Sequence, residues 1–277
     1  MNILFTTNQF NRIGNKIAIP FDVSDHWRLI HIQSESSYIY WDGNMIEVKQ
    51  PGVYLVPKGV YMGVISQDVC KVNSYEFSPI PGAISSVVQF YLSCCKPNSV
   101  LSFDSMTHLE LYARVDMLNR YFENPHRAKQ SLQASEYFNA CLSLFQNLLL
   151  KEILPPTMTV ADKQRLSSFL TLVESYFEMK HDVVFYADMM NESYADLEES
   201  TVKSFNVNPE AIIQIRAIRQ SVRLMLSKKQ SMNAVAQKLN YSLIEWKQLF
   251  KKINGLQPDK YLFKCSPELI KSAYSLA

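Results

Sequence analysis

The chain has 277 residues, of which 47% are apolar and 19% charged, with a formal net charge of +2. That length supports two domains with separate cores, and that composition excludes a disordered chain. The near-neutral balance excludes a uniformly basic nucleic-acid binder, so any such contact must come from local patches.

Residues 1 to about 80 read as short strands. Tyr38-Ile39-Tyr40-Trp41 is aromatic and β-branched, and Asp42-Gly43 follows at once. An Asp-Gly between two β-rich runs signals a tight hairpin, with Met45-Ile46-Glu47-Val48 as the return strand. Pro51-Gly52 makes the next turn, followed by Val53-Tyr54-Leu55-Val56 and Pro57-Lys58-Gly59. Closely spaced strands of this length predict a small β-barrel or sandwich.

Helical spacing takes over near residue 83. Ile84 to Cys95 forms a first short helix, stopped by Lys96-Pro97-Asn98. Leu111, Val115, Leu118 and Phe122 repeat at helical spacing over Leu109 to Phe122, and Asn124-Pro125 breaks the run. Leu132 to Ile153 follows, with Phe138, Cys141, Leu142, Phe145, Leu148 and Leu149 on one stripe before Pro155-Pro156. That stripe packs either on the strands or on a second copy of the chain, because periodicity marks a buried face without naming its partner.

From Ala161 onward the chain reads as helix, with Leu166, Phe169, Leu170, Val173 and Phe177 at helical spacing. Ile212 to Leu226 is a long helix carrying Arg216, Arg219 and Arg223. Ser231 caps a helix whose core face is Met232, Val235, Ala236 and Leu239. Asn240 tolerates the left-handed conformation of a sharp helix end. Ser242 with Glu245 then makes a reciprocal capping box for a second helix, which Gly255 ends. Trp246, Leu249, Phe250 and Ile253 form its inner face, while Leu243, Lys247, Gln248, Lys251 and Lys252 face outward. Gln reads base edges and Lys neutralises phosphates, so the helix suits a major groove. An ordinary amphipathic helix with a solvated basic face fits the same spacing.

The segment AVAQKLNYSLIEWKQLFKKINGLQPDKY resembles the signature of the AraC/XylS family of bacterial regulators, matching at Ala236, Leu239, Asn240, Tyr241, Trp246, Phe250, Lys251, Lys252, Gly255, Pro258 and Tyr261. Upstream, Phe185-Tyr186-Ala187-Asp188, Ser193, Leu197, Phe205, Asn206 and Pro209 resemble the family's first helix-turn-helix unit, and Ile218, Arg223 and Leu224 suit its connecting helix. The resemblance covers roughly residues 165 to 262. It implies a seven-helix domain with two reading helices in successive major grooves. In the first unit it places Tyr194, Ala195, Glu198 and Glu199 toward DNA, where the family usually has a polar or basic pair at the glutamates. Carboxylates there repel phosphates, which predicts a weakened or silent first unit. Thr201 also stands where a larger apolar side chain usually packs.

The segment YIYWDGNMIEVKQPGVYLVPKGV resembles the cupin-like barrel that precedes the DNA-binding domain in many members. The expected architecture is therefore α+β: a cupin-like sensor barrel over 1-82, a helical linker with dimerisation helices over 83-156, and a two-helix-turn-helix DNA-binding domain over 157-277. Metal cupins need a cluster of His and a carboxylate. Only His26 and His31 lie close together, and Tyr61 stands where a histidine often follows the Pro-x-Gly step, so no metal and no cofactor are expected. A small-molecule effector would then meet an aromatic cavity built from Trp27, Tyr38, Tyr40, Tyr54, Tyr61 and Tyr75, unless those rings simply fill the core.

The five cysteines, Cys70, Cys94, Cys95, Cys141 and Cys265, are odd in number and scattered, and read as reduced thiols. The amino terminus lacks a basic start with a long apolar core, and no apolar run approaches the roughly 20 residues that span a bilayer. A cytoplasmic location with no membrane partner is expected. Only seven glycines are present and none builds a phosphate loop. No nucleophile–base constellation stands out either, so an enzyme is not expected. The reading is a homodimeric transcription regulator that binds double-stranded DNA through the second unit, with the part of the first left open. The alternative is a degenerate relative acting as a protein-interaction module without DNA binding.

Overall fold

The computed structural model describes residues 16–33, 37–48, 51–66, 72–78, 84–94, 105–123 and 131–265. It is a mixed α+β structure in which antiparallel sheets precede the helices. The chain divides into two compact units, one of Met1–Ile84 with Lys96–Leu149 and one of Ser85–Cys95 with Leu150–Ala277.

The first unit carries strands β1 (Lys16–Val23), β2 (Trp27–Ile32), β3 (Ser37–Trp41), β4 (Asn44–Val48), β5 (Gly52–Val56), β6 (Tyr61–Ser66) and β7 (Val72–Phe77). The predicted hairpin is β3–β4, and its turn residues Asp42 and Gly43 sit at φ 43° and 87°. Both positions need the left-handed region, which Asp tolerates and Gly adopts freely. Asp42 also ties the turn to β6: its N–H donates to the Tyr61 carbonyl at 2.8 Å, and its Oδ1 accepts from the Tyr61 N–H at 2.9 Å.

Among the described residues the ladders form two sheets, ordered β1-β6-β3-β4 and β5-β2-β7, and no ladder closes them into a barrel. The chain changes sheet after β4, because β5 pairs with β2 rather than with β4. Between the sheets lies an apolar layer of Ile30, Ile32, Val56 and Val72 from one side and Ile39, Trp41, Ile46, Val48, Met62 and Val64 from the other. Since side chains alternate along a strand, Trp27, Leu29 and His31 take the opposite face of β2.

Helices α2 (Ser105–Glu123) and α3 (Ser131–Ile153) cover that opposite face. Phe77 meets Phe138 with ring centroids 4.6 Å apart, and His31 meets Tyr112 edge-on at 4.7 Å. Asn119 on α2 donates to His31 Nδ1 at 2.7 Å and accepts from the Tyr75 hydroxyl. His31, Tyr75 and Asn119 are all buried, so these bonds offset the cost of taking their polar groups from water. Arg28 is likewise buried and held bidentately by Asp22 at 2.6 and 3.0 Å, with Glu76 at 2.9 Å.

Residues 83–156, expected as a helical linker, are shared between the two units. Helix α1 (Ser86–Cys94) belongs to the second unit, while α2 and most of α3 belong to the first. The reason is the apolar face of α1. Val87, Val88 and Phe90 are buried, and the helix packs on α4 (Val160–Tyr176) and α7 (Pro209–Lys228). Phe90 stacks edge-on against Phe205, and the Ser86 hydroxyl donates to the Ser167 carbonyl at 2.9 Å. Besides α4 and α7, the second unit contains α5 (Val183–Met190), α6 (Tyr194–Phe205), α8 (Met232–Lys238), α9 (Leu243–Asn254) and α10 (Pro258–Lys264). Cys94, Cys141 and Cys265 are buried thiols without a disulfide, and burial pushes the Cys141 thiol up to about 11. Cys70 and Cys95 lie outside the described residues.

Gly63 on β6 lies under the Phe21 ring, and a Cβ at that position would stand 2.7 Å from Phe21 Cδ1. Gly63→Ala therefore displaces the ring. It is expected to destabilise the protein by about 1–3 kcal/mol in urea denaturation, the range for overpacking.

Candidate nucleic-acid interface

Helices α5–α6 and α8–α9 are built on one plan. Asn191 follows α5 and Asn240 follows α8, at φ 53° and 56°. The next residues, Glu192 and Tyr241, donate from their backbone N–H to the carbonyls of Ala187 and Ala236, each at 3.0 Å. Then Ser193 and Ser242 cap the following helix, accepting from the N–H of Asp196 at 3.1 Å and of Glu245 at 3.2 Å. Helices α6 and α9 have 12 residues each. They end at the left-handed residues Asn206 and Gly255, and Pro209 and Pro258 each begin the next helix. Every pair keeps the same offset, so the turn before α9 is as long as the turn before α6.

The shared plan aims one face of each helix inward. Trp246 and Phe250 on α9 are fully buried, as are Leu197 and Thr201 at the matching positions of α6. Trp246 donates its indole N–H to the Ser221 hydroxyl on α7 at 2.8 Å, and Phe250 meets Tyr261 on α10 edge-on at 5.3 Å. Thr201, smaller than Phe250, turns its hydroxyl to the Glu198 carbonyl at 3.0 Å.

The outer face of α9 carries Gln248, Lys251 and Lys252 exposed, with Leu243 and Lys247 half-buried. Lys252 reaches the Gln214 side chain at 3.4 Å. Among the described residues Lys247 and Lys251 are in no salt bridge. The one carboxylate on this helix, Glu245, belongs to the capping box, where the Ser242 side chain and backbone hold it below the ordinary range. Ile244 was not among the residues expected outside, yet it is 71% exposed. Its spacing to Lys247, Gln248 and Lys251 is the signal that would have found it.

At the matching positions α6 reverses the chemistry. Ala195, Glu198, Glu199, Val202 and Lys203 stand where α9 has Ile244, Lys247, Gln248, Lys251 and Lys252. Lys203 is held by Glu199 at 2.6 Å and Asp162 at 3.3 Å. Arg165 nearby is held by Asp162 and Glu192, each at 2.9 Å. Tyr194 donates to Glu210 at 3.2 Å, and desolvation together with Glu210 and Glu198 pushes its phenol up. The outward face of α6 is therefore acidic and apolar.

The aromatic residues expected to line one cavity are distributed among separate layers. Trp27 is buried beside Phe77 on the helix-covered face of the three-stranded sheet, the same face as Tyr75. Tyr54 packs on the apolar layer between the sheets, where burial pushes its phenol up to about 12. Tyr40 and Tyr61 meet edge-on at 5.8 Å and Phe21 covers both, on the face turned away from that layer. Tyr38 shares that face by alternation. The strand period puts Tyr38 and Tyr40 on one face, and the interior side belongs to Ile39 and Trp41. His26 and His31 do not share a site: His26 contacts Ser78 at 2.9 Å, and His31 lies under α2. Among the described residues no group of three His, Cys, Asp or Glu side chains is placed to hold a metal ion, and no helix is long and apolar enough to cross a membrane.

No family model matches the sequence, and a search of curated proteins finds no match. Solved structures give low-level likeness along the chain. ToxT from Vibrio cholerae O395 aligns over 95% of this chain and 98% of its own, at 15% identity and a TM-score of 0.44. Wild-type ToxT from Vibrio cholerae strain SCE256 with bound unsaturated fatty acid aligns over 95% of each chain, at 14% identity and 0.43. A xylose-binding transcription activator, XylR, aligns over 46% of this chain and 38% of its own, at 19% identity and 0.32. At TM-scores this low the likeness carries no weight for function, which rests on the residues of this chain.

Removing the Ser242 hydroxyl leaves the Glu245 N–H without its cap. Ser242→Ala is expected to lower stability by about 1 kcal/mol in urea denaturation, whereas Ser242→Asp, which retains an acceptor, loses little.

Proposed function

We propose that the chain is a DNA-directed transcription regulator of the AraC/XylS type, in which α8–α9 form a helix-turn-helix and α9 enters the major groove. The observation that carries this reading is the split chemistry of α9. Trp246 and Phe250 are locked inward, while Ile244, Lys247, Gln248, Lys251 and Lys252 are turned out on a doubly capped helix. Lysines neutralise phosphates, a glutamine offers two hydrogen bonds to adenine, and an exposed isoleucine suits a thymine methyl. Leu243 enters at the start of the helix, the end that lies deepest in a groove in this docking mode.

In this reading α5–α6 is the first helix-turn-helix, presenting Tyr194, Ala195 and Glu198, but it contributes little to affinity. Glu198 and Glu199 face where phosphates would lie, and the neighbouring cations Lys203 and Arg165 are already neutralised. The first unit of the structure serves as a cupin-like sensor for a small-molecule effector, with Trp27, Tyr38, Tyr40, Tyr54 and Tyr61 as its aromatic residues. The helical pair α2 and α3 carries dimerisation, and on α2 Leu109 and Met117 are 60% and 56% exposed on one stripe with Ala113. The protein acts in the cytoplasm and not as an enzyme.

The acid–apolar face of α6 favours a second reading, a protein-interaction module that no longer binds DNA. Selection from fragmented genomic DNA by the purified protein separates the two. An enriched sequence supports the regulator, and no enrichment at low salt supports the module.

Lys247→Ala and Lys251→Ala are each expected to weaken binding to a selected duplex. Each should also reduce the slope of log affinity against log salt by about 0.9, the value of one lost phosphate contact. An unchanged slope in a gel-shift titration excludes α9 as the contact helix. Glu198→Lys with Glu199→Lys is expected to tighten binding several-fold and steepen the slope. If affinity does not change, α6 does not face the duplex.

A further inference from the structure

His181 lies between α4 and α5, and Tyr241 lies in the turn between α8 and α9. Their rings stack face to face, with centroids 3.9 Å apart and planes 7° from parallel. His181 Nε2 and the Tyr241 hydroxyl are both shielded from solvent and have no hydrogen-bond partner. Beside the stack, the Asn240 side-chain amide donates to the Met179 carbonyl at 3.3 Å. The turn that aims α9 is thus fastened to the end of α4 by one ring pair and one amide.

The two helix pairs are fastened by different chemistry: Glu192 stands at the position of Tyr241 and ties the turn before α6 to Arg165 on α4 by an ion pair, whereas the turn before α9 is held by a ring stack. The fastening also sits next to the capping box, because Ser242 follows Tyr241 directly. We propose that His181 is a positioning residue for DNA reading: its neutral ring holds the Tyr241 turn and so the approach of α9, and proton uptake on that ring loosens the hold. This rests on α9 being the reading helix.

Burial opposes charge on His181, while the carbonyls of Phe177 and Leu239 and the Glu245 carboxylate favour it. Burial prevails and lowers the ring below the ordinary value of 6.5. The other ionisable groups around it are accounted for. Tyr241 is pushed up to about 12 by burial and by Glu245. Tyr186 on α5 donates to the Lys180 carbonyl. Lys180 lies over the Phe185 ring at 5.3 Å, Asp182 caps α5, Glu178 accepts from Gln220, and Lys238 is exposed. A histidine lowered in the folded state leaves stability intact above 6.5. Stability is then lost as pH falls below that value and through the lowered pKa, because the unfolded chain takes up the proton first.

The test uses the full chain and a duplex obtained by genomic selection, with affinity measured by fluorescence anisotropy from pH 7.5 to 5.5. Wild-type affinity is expected to fall several-fold toward acid. His181→Phe keeps a flat ring without a titrating nitrogen and is expected to bind with a flattened pH profile. His181→Ala and Tyr241→Leu remove the stack from either side and are expected to bind several-fold more weakly even at pH 7.5. A His181→Phe profile that follows the wild type, or full affinity in both stack-removing variants, overturns the proposal. If the wild type binds no duplex at any pH, the regulator reading has failed on its own. Amide exchange over residues 240–246 then decides. Faster exchange in acid for the wild type than for His181→Phe at the same pH supports the latch, and equal exchange overturns it.

Discussion

The burial of Trp246 decides which side of α9 meets solvent. Its indole is fully enclosed and its one polar atom is satisfied by Ser221, so rotating the helix about its axis would strip apolar area and leave a buried N–H unpaired. With Trp246 and Phe250 pinned, helical period alone sends Ile244, Lys247, Gln248 and Lys251 outward. The left-handed turn at Asn240, the capping box and the terminal Gly255 then set where the helix starts and stops. Arg219 reaches Asn254 at 3.3 Å and adds a polar tie from α7 to the far end of the same helix.

The same frame built on Leu197 and Thr201 shows what those pinning residues do and do not determine. Helices α6 and α9 share length, caps and turns, yet their outward faces carry opposite charge. Inward residues and caps specify position, and outward residues specify chemistry. The core of the C-terminal unit extends to α4 and α7 through the Arg216–Glu174 pair at 2.6 and 2.7 Å, with the guanidinium lying over Phe177 at 4.1 Å. Burial would lower that arginine, and Glu174 outweighs it.

The features that could be read from sequence are those with local causes. Asp42-Gly43, Ser231, Asn240, the Ser242–Glu245 box and Gly255 each act within a few residues of themselves, and the structure shows each in its expected conformation. Features with distant causes could not be read. Nothing near Pro51 says that β5 will leave the sheet of β4 for that of β2, because pairing is decided by strands far along the chain. The short helix α1 was legible from its spacing and its stop, but only the folded chain shows that α4 and α7 cover its apolar face. The aromatic residues were legible as strand residues. Which face turns inward depended on Ile39 and Trp41, whose partners come from the opposite sheet.

The αL turn, the serine cap and the buried Leu197 and Thr201 hold α6 from its start and its inner side, so exchanging the outward Glu198, Glu199 and Val202 removes surface pairs but leaves the frame in place. A helix held in this way can change its surface one residue at a time while its skeleton stays intact. Shape and surface chemistry are separable at this helix, and either can drift without an unfolded intermediate.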